Sequence, residues 1–110
     1  MDANSGNKHT ALQALLDQLQ NQLKAEQLWA NVTPSREALN SIQPFCVDTL
    51  PFEQWLQFVM LVRFSHLVAT KGVLPTQCDI TPMARDAFKL PNQLKVLATI
   101  LAIDELISAS

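Results

Sequence analysis

Five leucines constrain this chain more than any other feature. Leu12, Leu15, Leu16, Leu19 and Leu23 follow one another at steps of 3, 1, 3 and 4. That spacing draws one apolar stripe on an α-helix and scatters on a strand. Gln13, Asp17, Gln18, Gln20, Asn21 and Lys24 fill the other side. Thr10 is a natural N-cap, so the pattern predicts a first helix over about 10–31 behind a polar, disordered leader at 1–9 that contains His9. A stripe this regular needs apolar faces to pack against, and the rest of the chain supplies them.

Thr33-Pro34 opens a short helical turn reaching Leu39, because proline is tolerated at the first helical position. Residues 40–47 read as irregular. Asp48-Thr49-Leu50-Pro51 opens the strongest helix. Its apolar positions, Phe52, Trp55, Leu56, Val59 and Leu67, carry it to about Thr70. Lys71 suits the C-terminal dipole, and Gly72 is expected in the left-handed position after the end. Thr81-Pro82 starts a short third helix that stops before Pro91. A fourth helix is expected over about 92–108, with a strand over 96–103 as the rival because Val96, Ile100 and Ile103 are β-branched. The predicted fold is all-α: an up-down bundle of three long helices plus a short one, forming one helical domain over 10–110.

With 110 residues, 48% of them hydrophobic, the chain has material for one small core. Two glycines exclude a Gly-rich phosphate loop. Eight Lys and Arg against ten Asp and Glu leave a net charge of −2, which argues against direct nucleic-acid binding. The polar start has no apolar signal-peptide core, and the longest apolar run, 58–64, contains Arg63 and is too short for a bilayer. A cytoplasmic protein is the expectation, with Cys46 and Cys78 as inert thiols rather than a disulfide framework. Cys46, Cys78 and His66 lack metal-ligand spacing, so neither a metal nor a cofactor is expected. Trp29 and Trp55 have no interleaved cations and read as core.

Arg63 is the residue most in need of an explanation. On an unbroken second helix it falls on the core face with Phe52 and Leu56. A charge there must be paired or must reach water. Three readings are open: a clamp to a carboxylate on another helix, an anion or ligand site, or a guanidinium that snorkels to solvent. Asp104 and Glu105 are the expected partners. Both oppose the macrodipole near the end of the fourth helix, and Asp104 lies as far along its helix as Arg63 does along the second. Asp48 is the fallback partner, and His66, three residues after Arg63, is expected to be half-buried.

The fourth helix carries apolar residues on two faces. Leu94, Leu97 and Leu101 form one; Val96, Ile100, Ile103 and Ile107 form the other and are the candidate interface of a homodimer. One helix in a bundle this small buries both only at its centre or against a second chain.

The run Ser41-Ile-Gln-Pro44-Phe45, then Asp48-Thr49-Leu50-Pro-Phe52 and Trp55-Leu56-Gln57, continuing to Arg63, resembles the YqcC-like family of small bacterial proteins. With the Gln-rich leucine helix before it and Leu74-Pro75 after it, the resemblance extends over nearly the whole chain from about residue 8. It implies an all-helical bundle and an association with a tRNA pseudouridine synthase, whose name is sometimes attached to members. Synthases of that kind resemble one another around an aspartate in an Arg-Leu-Asp type motif on a larger α/β fold. The nearest string here is Ala84-Arg85-Asp86-Ala87 at a helix start, so no catalytic residue is assigned. Three functions stay open: a non-catalytic accessory or protein-interaction module with an unidentified partner, a component of tRNA modification, and a binder of a small ligand or anion through Arg63.

Overall fold

A computed structural model describes the backbone of residues 3–109 and the side chains of residues 8–109. The described residues are helical and loop, with no strand. The first helix, α1, spans Ala3–Ala25. A single turn, α2 (Arg36–Leu39), and a 3-10 turn at Pro44–Cys46 follow. The long second run joins α3 (Phe52–Trp55), a π-helical stretch at Leu56–Met60, and α4 (Leu61–Ala69). Then come α5 (Thr81–Ala87), a 3-10 turn at Pro91–Gln93 and α6 (Leu94–Ser108). The strand alternative for 96–103 is not adopted, because the segment pairs along its own helix and buries Val96, Ile100 and Ile103 on one face.

Leu12, Leu16, Leu19 and Leu23 are fully buried, so the leucine stripe does seat α1 on the core. Its limits differ from the expectation. The helix is under way at Ala3, so the polar leader read over 1–9 is helical from there, and Thr10 lies inside it. It stops at Ala25, because Gln27 takes a left-handed conformation at φ 62° and Leu28 N–H closes onto Leu23 O.

Both later long segments run antiparallel to α1. Lys8 Nζ donates to Ile107 O and Ala109 O, so the start of α1 meets the end of α6. The Nε2–H of His9 donates to Gly72 O, which ties the same end of α1 to the chain leaving α4. Beyond the far end of α1, Ala30 meets Gln57. The Lys8 cation also sits against carbonyls that carry the negative end of the α6 dipole.

The left-handed residue after α4 is Lys71 (φ 54°), not Gly72. A Cβ at 72 would come within 2.9 Å of Leu67 Cδ2, so a larger residue there requires the end of the Leu67 side chain to shift.

The π-helical stretch corrects the expected phase of the second helix. Leu61 N–H bonds to Leu56 O, five residues back. Phe52, Leu56, Met60 and Phe64 are all buried, at steps of four. On an ideal α-helix such a step drifts by about 40° each time. One wide turn inserts the equivalent of one residue and turns everything after it back by about 100°. Phe64 therefore enters the core, and Arg63 leaves it.

Candidate functional site

The N-terminus of α5 is built by α6. Asp104 is buried, and its carboxylate accepts from three donors in four contacts. Ile80 N–H donates to both oxygens, at 3.0 and 2.8 Å; Thr81 N–H and Thr81 Oγ1 donate at 2.7 and 2.6 Å. The cap residue of α5, Ile80, has no side-chain oxygen to do this work. Asp104 therefore opposes its own helix dipole because it caps a different helix. One turn later Ser108 Oγ accepts from Cys78 N–H and donates to Cys78 O. The segment 78–81 is thereby fastened to α6 at both ends.

The Cys78 thiol lies beside this cap. Burial, a hydrogen bond to Asp104 and the negative charges of Asp104 and Asp79 push it up to about 12. A thiol so protonated at neutral pH is not a nucleophile. Cys46 is also free and buried.

Arg63 is exposed, as are His66 and Glu105, so the structure does not bring together the cluster expected around Arg63. The physical reason is the wide π turn, which carries Arg63 off the core face. Asp104 is committed to Ile80 and Thr81, and Asp48, also exposed, accepts from Ser41 Oγ. Among the described residues the ion pair present is Lys89–Asp86, at 3.7 Å on the surface. The candidate interface is corrected in the same way. Val96, Ile100, Ile103 and Ile107 are fully buried in the core, whereas Leu94 and Leu101 face outward.

The motif run builds a tight loop. Phe45 adopts φ 58° and Cys46 φ 50°, a conformation that strains side-chain-bearing residues. Aromatic contacts hold it. Phe45 packs edge-on to Trp55 at 4.8 Å between centroids, Trp55 stacks on Phe52 at 5.7 Å, and Phe52 meets Phe88 at 5.7 Å. Thr49 Oγ1 donates to Ala38 O at 2.7 Å. Gln57, buried in the π turn, clamps Ala30 with both ends of its amide: Oε1 accepts from Ala30 N–H at 2.8 Å, and Nε2 donates to Ala30 O at 3.0 Å. Gln57 stands in the motif run, and a glutamine in the middle of an apolar stretch is its signal, but the partner Ala30, 27 residues away, is not legible from spacing.

Two adjoining troughs of about 690 and 250 Å³ lie along α1 and α6, sharing Gln18, Gln22 and Lys95. Thr99 lines the smaller one, accepting from Gln18 Nε2 at 3.1 Å and donating to Gln22 Oε1 at 2.8 Å. The remaining titratable lining residues are Asp17 and Glu26, and the latter accepts from Asn92 at 2.6 Å. No lining residue pairs a nucleophile with a base. Among the described residues no group of three or more His, Cys, Asp or Glu could hold a metal. No helix of the described residues is long and apolar enough to cross a membrane. Lys8 and Lys24 lie apart: Lys8 serves the end of α6, and Lys24, about 24 Å along α1, lies over Trp29.

This helical arrangement has known relatives. A family model, DUF446, described as "tRNA pseudouridine synthase C", matches residues 11–106. The chain belongs to the YqcC-like family. Among members of the YqcC-like family, protein YqcC of Escherichia coli is 31% identical over 100 residues, 89% of this chain and 92% of that one. Its solution NMR structure matches with a TM-score of 0.81, covering 93% of this chain and 89% of that one. An uncharacterised protein of Haemophilus influenzae is 37% identical over 92 residues, 83% of this chain and 87% of that one. A protein of Pectobacterium carotovorum named tRNA pseudouridine synthase C is 40% identical over 63 residues, which make up 57% of this chain but 16% of that one.

Proposed function

We propose that this YqcC-like chain is a non-catalytic accessory module of the cytosol that acts by binding a protein, and that the protein is a tRNA pseudouridine synthase. The observation that carries the reading is the match to the Pectobacterium synthase, where the similar stretch fills only 16% of the chain. The other five-sixths of that chain lie outside the similar stretch, which leaves its catalytic part to the remainder. A module that is part of a longer chain in one organism can dock on that chain's counterpart as a separate protein in another. The interior supports a scaffold role: the buried polar side chains Asp104, Gln57 and Thr99 all serve packing contacts.

Titration of the full chain against the tRNA pseudouridine synthase of the same cell, followed by calorimetry and by uridine conversion in tRNA, tests this. A stoichiometric complex with altered conversion is expected. No binding at tens of micromolar together with unchanged conversion overturns the partner. Conversion of uridine by the purified chain alone, lost in Asp86→Asn, overturns the non-catalytic assignment.

A further inference from the structure

We infer that the outward face of α6 binds a second copy of this chain, antiparallel, about a two-fold axis beside Ala98. With the β-branched face of α6 in the core, Leu94 remains 63% exposed and Leu101 39% exposed, with half-buried Leu97 and exposed Ala98 between them. These positions lie at steps of 3, 1 and 3, so they form one straight apolar strip. This is the face opposite the one that the sequence pattern favoured for self-association.

The charges on the strip say what covers it. Exposed Lys95 flanks its N-terminal end, and exposed Glu105 lies at its C-terminal end, on the same side. A parallel copy would set lysine beside lysine and glutamate beside glutamate. An antiparallel copy sets Lys95 of each chain beside Glu105 of the other, so that both charged ends are matched. A two-fold interface requires that reciprocity, because whatever residue i touches in its partner must touch i in return. In the register that sets Leu97 of one chain level with Leu101 of the other, the axis falls at residue 99, and Lys95 lies two residues, about 3 Å, from level with Glu105 of the other chain, which its long side chain spans. Ala98 falls next to the axis, where a small side chain lets the two backbones approach. The strip is about three turns long and smaller than a standard interface, so association in the micromolar range is expected.

Sedimentation equilibrium of the full chain reads this directly. A reversible dimer is expected, and Leu101→Glu should leave a folded monomer. Lys95→Glu and Glu105→Lys should each weaken the dimer about tenfold or more, since each places like charges together at both ends. The double variant carrying both changes should return to within a few-fold of the original. All three positions are solvent-exposed, so circular dichroism should show unchanged helicity. A monomer at every accessible concentration overturns the inference. So does a dimer that the single charge changes leave intact, or that the double change fails to restore.

Discussion

Asp104 on α6 caps α5 through Thr81, taking both the backbone N–H at 2.7 Å and the hydroxyl at 2.6 Å. A residue that looks misplaced on its own helix is the start signal of another one. Replacing Asp104 with alanine leaves the Ile80 and Thr81 amides without an acceptor in a buried place. The expected loss is about 2–3 kcal/mol, with Asp104→Asn losing less because one acceptor survives. Urea midpoints measure the loss, and faster exchange of the Ile80 and Thr81 amides locates it.

Arg63→Met should change stability by less than about 0.5 kcal/mol, because the guanidinium is in solvent. The pair Arg63→Met with Asp104→Leu should cost no more than Asp104→Leu alone. A coupling energy beyond about 0.5 kcal/mol in that cycle would show that the two residues communicate after all.

Gln57→Leu removes both partners of Ala30. An expected cost of about 1–3 kcal/mol follows from stranding a backbone N–H and C=O in a part-buried place. Gln57→Glu keeps the acceptor for Ala30 N–H and loses the donor to Ala30 O. Hydrogen exchange should therefore leave the Ala30 amide protected in Gln57→Glu and expose it in Gln57→Leu.

Cys78 gives the chain an alkaline weakness. The folded thiol holds its proton to about 12, against an ordinary value of 9.0. Between those values the unfolded chain releases a proton that the folded chain keeps, so stability is full below about pH 9 and falls as pH rises toward 12. Chemical denaturation at pH 8 and pH 10.5 should show a drop that Cys78→Ala reduces. Alkylation of Cys78 at pH 8 should be far slower in the folded chain than in urea.

Ile103→Glu should unfold the chain, costing more than about 4 kcal/mol, because it buries an unpaired charge. Leu101→Glu, two residues earlier but facing outward, should keep the native circular dichroism. The contrast checks which face of α6 is inside.

Helix content was written locally. The 3, 1, 3 and 4 steps of Leu12 to Leu23 and the breaker at Pro91 need only neighbours within a turn or two to act. Three features were settled between elements instead. Whether α6 buries Ile103 or Leu101 depends on what packs against it, since both faces are apolar. Asp104 finds its donors 23 and 24 residues away, at the start of α5, and no local pattern announces that distance. Arg63 turns outward because one π turn upstream shifts the phase of everything after it by about 100°. The sum of packing at Phe52, Leu56, Met60 and Phe64 favours that turn, since a four-residue step keeps all four inside only if the helix widens once. Helical period is a property of the backbone and is legible in the chain; helical phase across such a turn is chosen by the core.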